Sequence, residues 1–305
     1  MARRRARGRD VNGILLLDKP NGMTSNAALQ KVKRLFNANK AGHTGSLDPI
    51  ATGVLPICLG EATKVSGYLL DSNKGYIVTI KLGVRTSSAD IEGEVIETRP
   101  VPEIADSHLS EVLNSFLGDI QQTPPMYSAL KVDGKPLYKL ARQGIEIERK
   151  SRQVTIYSID LLAKRDDELE LAVLCSKGTY IRTLSEDIGE VLGCGAHVTV
   201  LRRTIVGGFE LENTITLEHL EELAQKEGCE GLDQHLRPVD SALKGWPELV
   251  LNDDLAFYLL RGQPVQVPKA PVDGVVALYG GQNQFLGIGH ILEDGRVAPK
   301  RLVNL

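Results

Sequence analysis

The sequence is poor in sulfur and in rings: 305 residues include four cysteines, three methionines, one tryptophan and 5% aromatics. Cys58, Cys175, Cys194 and Cys229 form no C-x-x-C pair and have no metal-ligand spacing with the six histidines, which argues against a disulfide-stapled scaffold or a structural zinc site. They read as reduced, mostly buried thiols. Long hydrophobic runs are missing too. GILLL at 13–17 is typical of the longest, far below the roughly 20 residues of a spanning helix, and no apolar signal segment follows the basic N-terminus. A soluble, cytoplasmic protein without a membrane partner is the expectation.

What is present is enough for a substantial core: 42% hydrophobic and 25% charged residues, pointing to one large domain plus a small one. The net charge of −3 is unevenly spread. Residues 1–42 hold ten Lys/Arg against two Asp/Glu, a local +8, so the rest carries −11. A cationic arm, MARRRARGR, on an otherwise acidic chain suits a polyanion such as nucleic acid; a solvated tail or a nuclear-import patch accounts for the same charge.

Hydrophobic periodicity gives the organisation. NGILLLDKPNG at 12–22 reads as a short buried strand closing on a turn. A helix follows, capped by Thr24, Ser25 or Asn26, with Ala28, Leu29, Val32, Leu35 and Phe36 at helical spacing. VLPICLG reads as a strand, EATKVSGYLLD as a helix, GYIVTIKLGV at 75–84 as a strand and SHLSEVLNSFLG at 107–118 as a longer helix. A basic, turn-rich insertion follows, with seven Lys/Arg against three Asp/Glu from Lys131 to Arg152. VTIYSIDLLAKR and ELELAVLCSKGTYIRTL flank an acidic turn as an antiparallel strand pair. TLEHLEELAQKEGCEGLDQHL at 216–236 is an acidic helix with a solvated face. Beyond Trp246 and Pro247, short β segments with turns predict a separate small β barrel.

The stretch GHTGSLDPIATGVLP at 42–56 stands apart, with one carboxylate, Asp48, directly before a proline. Asp-Pro is a helix-start signal, so a structural cap is the bland reading. Gly42, Gly45 and Gly53 instead permit close backbone approach to a ligand, and His43, Thr44 and Ser46 supply polar contacts. A phosphate cradle lacks the Walker lysine. A metal site lacks convergent ligands, and paired-carboxylate chemistry lacks a local second acid. A single carboxylate acting as nucleophile or base remains, provided something cationic keeps it ionised.

The motifs LLLDKPNGMTSN, AGHTGSLDPIATGVLPICLGEATK, YSALKVDGKPLYKLARQG, CSKGTYIRTL and GCGAHVTVLRRT, in this order, resemble those of bacterial TruB-type tRNA pseudouridine synthases over nearly the whole chain. The closing GIGHILEDGRVAPKRLV is similar to a PUA module, a small RNA-binding barrel. The resemblance implies an α+β pseudouridine synthase fold: a large, mostly antiparallel curved sheet with flanking helices, and a PUA-like C-terminal barrel. The implied domains are a basic arm at 1–9, a catalytic domain at 10–246 and the PUA-like domain at 247–305.

The implied reaction is isomerisation of uridine 55 to pseudouridine in the tRNA T loop, with no cofactor and no metal. Asp48 matches the aspartate required by these synthases. His43 matches the histidine that enters the RNA loop beside the flipped uridine, and Tyr76 the aromatic that stacks on the target base. Arg182 matches the arginine paired with the catalytic aspartate, Tyr180 and Leu201 match positions lining the uracil pocket, and Lys19 a motif residue near it. The insertion at about 124–152 corresponds to the segment that closes over the T stem-loop. The implied partner is tRNA, held at the T stem-loop and, through the PUA-like domain, on the acceptor side, with no obligatory protein partner. A tRNA-remodelling protein and a guide-dependent synthase are the rival readings. Attack at the anomeric carbon, addition to base carbon 6 and abstraction of a ribose proton all remain open for Asp48.

Overall fold

The computed structural model describes residues 8–128, 130–132, 134–141 and 143–305. All but Gly8 and Arg9 of the basic arm lies outside the described residues. Arg9 is tied inward: its guanidinium pairs with Asp233 and donates to the Phe36 carbonyl.

In chain order, β1 (Gly13–Lys19) leads into α1 (Ser25–Leu35), whose first turn is closed by Thr24 accepting from the Ala27 N–H at 3.1 Å. β2 (Ala41–His43), β3 (Thr52–Leu59) and the short α2 (Ser66–Leu70) follow. Next are β4 (Lys74–Leu82), the hairpin β5 (Val84–Thr86) and β6 (Val95–Thr98), α3 (Asp106–Ser115) and β7 (Gly118–Gln122). The insertion holds β8 (Lys131–Val132), β9 (Lys135–Pro136) and α4 (Leu137–Ala141). β10 (Arg152–Arg165), β11 (Glu168–Cys175), α5 (Ile181–Val191) and β12 (Ala196–Val206) complete this part. The chain closes with β13 (Phe209–Glu210), β14 (Ile215–Thr216), α6 (Leu217–Asp233), β15 (Glu248–Val250), α7 (Asp253–Leu260), β16 (Val275–Tyr279), β17 (Phe285–Ile291) and β18 (Val297–Leu302).

Two compact units result. The first runs to Pro49 and resumes over Val54–Asp71 and Gly207–Leu305; the second is Ile50–Gly53 with Ser72–Val206. In the second, the strand order is β3-β12-β4-β11-β10-β7. The β12–β4, β4–β11, β11–β10 and β10–β7 pairs are antiparallel, while β12 meets the start of β3 in parallel. β3 then continues into the first unit, where the order is β14-β1-β3, β14 runs parallel to β1 and β2 adds antiparallel to β3. The result is a large mixed sheet within an α/β architecture. In the first unit Leu15, Leu17, Leu55 and Ile57 are buried, and in the second Ile80 and Leu82.

In the first unit α6 packs on α1, and two acids of its acidic sequence are used internally, Glu221 by Lys31 and Asp233 by Arg9. The C-terminal strands form a four-stranded sheet, β15-β16-β17-β18, over a core that includes Leu251, Leu259, Val276 and Val297. This order has two ends, and the further pairing to β18 is a single Val265–Val297 bridge. The sheet itself thus does not close into the expected barrel. Its end is pinned by side chains that follow β3: Lys64 donates to the Leu302 carbonyl at 2.9 Å and Glu61 accepts from the Asn304 N–H at 2.7 Å.

Three expectations need correction. No helix starts at Asp48; residues 49 and 50 form a turn that leads into β3. The EATKVSGYLLD helix is a 3-10 segment, Gly60–Lys64, followed by the five-residue α2. The strand expected through GTYIRTL ends at Cys175, and Arg182 lies in the first turn of α5 instead. Arg182, Leu184 and Ile188 are buried along that helix, so an amphipathic packing face outweighs the strand preference of Thr, Tyr and Ile.

Candidate functional site

Asp48 sits half-buried in a loop that is held on both sides. Because Thr24 takes the helix cap, the Ser25 hydroxyl is free for another use. It accepts from the Leu47 N–H at 2.7 Å and also lies 3.1 Å from the Leu47 carbonyl, to which it donates. On the other side, the Pro49 carbonyl accepts from the Gly22 N–H at 2.9 Å and from the Lys19 ammonium at 3.3 Å. Lys19 is fully buried and also donates to the carbonyls of Pro20 at 2.8 Å and Met23 at 2.6 Å. A buried ammonium is costly unless its donors are used, and here they tie the DKPNG turn to the Asp48 turn. His43 ends β2, where its register partner is Ile57, and the next residue, Thr44, donates its N–H to Pro56 at 3.2 Å. Lys19 and the Asp48 turn are thus fixed together, while His43 is held by the pairing of β2 with β3.

The other predicted residues gather in the second unit. Tyr76 on β4 faces Arg203 on β12 as a register partner, and Leu201 faces Val78. Leu201 is buried at 5% exposure, Arg203 at 1%. Burial pushes the Arg203 guanidinium below its usual range, opposed by its hydrogen bond to the Tyr76 side chain. Beside it, Arg202 donates to the Thr52 hydroxyl at 3.1 Å. Gly53 has φ +100°, and a Cβ there would lie 2.1 Å from the Arg203 carbonyl oxygen. Only glycine lets β3 and β12 approach so closely at the residues just beyond Asp48 and Leu201.

Arg182 is 4% exposed, and its guanidinium lies 3.3 Å from the carboxylate of Asp90, itself 3% exposed. It also donates to the carbonyls of Ser88 at 2.8 Å and Tyr127 at 2.7 Å. Asp90 accepts from the Ser88 hydroxyl and from the Glu92 N–H, inside a turn where Ala89 adopts φ +57°. A buried ion pair needs such added hydrogen bonds to offset its desolvation. Tyr180 precedes α5; its N–H and carbonyl are both bound by the side chain of Gln122, at 3.0 and 3.2 Å, and the Arg152 guanidinium lies 4.6 Å from its ring centroid.

Ser25, Asp90, Gln122 and Arg203 were not read from the sequence as site residues. Only Arg203 had a usable signal: on a strand it shares a face with Leu201, two residues before. Among the described residues, no group of three or more His, Cys, Asp or Glu side chains could hold a metal ion, and no helix is long and apolar enough to cross a membrane.

Comparison with known proteins agrees along the chain. Residues 33–181 match the model of the TruB family pseudouridylate synthase N-terminal domain. Residues 182–244 match that of the tRNA pseudouridylate synthase B C-terminal domain, and 247–303 that of the pseudouridine synthase II TruB C-terminal region. The tRNA pseudouridine synthase B of Stutzerimonas stutzeri is 59% identical over 97% of this chain and 96% of its own. That of Coxiella burnetii is 57% identical over the same shares. Among solved structures, a chain of a Cbf5-Nop10-Gar1 complex superposes with a TM-score of 0.75 at 28% identity, covering 95% of this chain and 84% of its own. By model match, identity and coverage together, the chain belongs to the TruB family of pseudouridine synthases.

Proposed function

We propose that the protein isomerises uridine 55 to pseudouridine in the T loop of tRNA in the cytoplasm, with Asp48 as the essential carboxylate. In this reaction the bond from uracil N1 to ribose C1′ breaks and one from C5 to C1′ forms. The C5 proton is lost and N1 gains one, so composition is unchanged and no external oxidant or group donor is consumed. The observation that carries the reading is the fixing of Asp48 between the bound peptide groups of Leu47 and Pro49. An acid that works at a single carbon must be aimed, and a pre-bound loop supplies the aim without reorganisation.

In the same reading Arg182, which also pairs with Asp90, is the arginine that keeps the Asp48 carboxylate ionised. Tyr76, oriented by Arg203, stacks on the flipped base, Tyr180 and Leu201 line its pocket, and His43 enters the space the base leaves. A loop base is cheap to extrude because RNA loops are incompletely stacked. The insertion grips the T stem-loop, and residues 247–305 bind the acceptor side as a PUA-like module.

The test is an unmodified tRNA transcript incubated with the purified protein alone and mapped for pseudouridine. Conversion of one T-loop uridine is expected; a requirement for an added small RNA would replace this reading with the guide-dependent one.

A further inference from the structure

The two ends of the basic insertion meet on the ladder, and what they hold there is the pocket tyrosine. Gln122, the last residue of β7, and Arg152, the first of β10, are register partners. Just beyond that pair, side chains also join the two ends: the hydroxyls of Thr123 and Ser151 lie 3.0 Å apart, and Arg149 donates to the Pro124 carbonyl at 3.1 Å. Gln122 is fully buried and spends both ends of its amide on the backbone of Tyr180. Arg152 lies over the Tyr180 ring and donates to the Gly178 carbonyl. Gly178 has φ +82°, and a Cβ there would lie 3.4 Å from the Arg152 guanidinium carbon. A third contact comes from inside the insertion, where the Tyr127 carbonyl accepts from Arg182 at 2.7 Å. Both ends and the interior of one segment therefore converge on residues 178–182.

We propose that Gln122 and Arg152 are positioning residues that couple closure of the insertion on RNA to the placement of Tyr180, so that the uracil pocket takes its working shape when the RNA stem is gripped. The coupling rests on the function proposed above. A segment fixed at its base by β pairing cannot swing without loading the groups bound at that base, and a ring held by a planar guanidinium and a backbone held by one amide have little slack. Binding energy gathered from the stem, remote from the reacting base, is thereby used at the base.

The test follows Arg152→Gln and Arg152→Lys on a T stem-loop RNA by single-turnover kinetics, RNA affinity and amide hydrogen exchange. Arg152→Gln is expected to lower the rate at saturating RNA about tenfold while affinity changes less than about threefold. Arg152→Lys, which keeps the charge but not the planar fork, should fall nearly as far. In a Tyr180→Leu background the Arg152→Gln loss should largely vanish, since both act through one ring. In the wild type, RNA should slow exchange over both 123–151 and 176–182; in Arg152→Gln the slowing should persist in the first segment and be lost in the second. Additive losses in the double variant, or equal slowing at 176–182 in wild type and variant, would overturn the coupling. A wild type that makes no pseudouridine on this RNA would instead sink the proposed function, and the exchange data would then decide the coupling alone.

Discussion

A single serine shows how residue-level choices build this site. Thr24 and Ser25 compete for the cap of α1, and because Thr24 wins, Ser25 is left to bind Leu47, next to Asp48. A cap among Thr24, Ser25 and Asn26 is legible in the sequence, but the second use of Ser25 is not, because it depends on a contact 22 positions away. Lys19 is similar: DKPNG is legible as a turn, yet full burial of its lysine is not, because lysines are rarely buried unless paired or hydrogen-bonded. Ser25→Ala should therefore cost about 1–2 kcal/mol in urea unfolding, the loss of bonds to a buried peptide group. It should also lower turnover on tRNA more than it weakens tRNA binding. Lys19→Met should cost more, about 3 kcal/mol by the same measurement, because three carbonyls lose their donor.

At the scale of elements, the close meeting of β3 and β12 is the most demanding feature. Gly53→Ala would put a methyl 2.1 Å from the Arg203 carbonyl at φ +100°. Relief requires breaking the Thr52–Arg202 and Gly53–Arg203 pairing, so a loss above about 3 kcal/mol, or a collapse in soluble yield, is the expected result.

α5 supplies a second test. Its Glu186 and Glu190 engage Arg85, Glu190 also engages Arg99, and Glu97 of β6 engages both arginines. Asp187 is held up to about 6, first by desolvation and then by Glu186 and Glu190. Because the folded state then holds this proton more tightly than the unfolded chain, at 3.8, the stability contribution falls as pH rises from about 4 to about 6. Asp187→Asn should raise stability at pH 7 by about 1 kcal/mol, after allowance for screening of a half-exposed group, and should do nothing below pH 4; melting the two proteins across that range checks the sign. The strand and helix boundaries were largely legible where periodicity was sustained, as in β4 and α3. GTYIRTL was misread because local preference favours strand there while burial of Arg182, Leu184 and Ile188 favours helix.

At the scale of the whole molecule, motif order along the sequence carried the family, and the mixed sheet accords with it. The expected closure of the C-terminal strands into a barrel is not seen in their four-stranded sheet, because sequence spacing indicates strand number but not whether the outer strands pair. The candidate site was legible as motifs, whereas the buried acid opposite Arg182 was not: SSAD carries no periodic or spacing signal, and the role of Asp90 arises only when its turn folds against α5. The central claim is that Asp48 makes the protein an enzyme rather than solely a tRNA-binding protein. Its most direct test is pseudouridine mapping of a tRNA transcript after incubation with the wild type or Asp48→Asn, with tRNA affinity measured on both. One modified T-loop uridine is expected with the wild type, none with Asp48→Asn, and affinities within about threefold; pseudouridine formed by Asp48→Asn at a comparable rate would rule out Asp48 as the essential carboxylate.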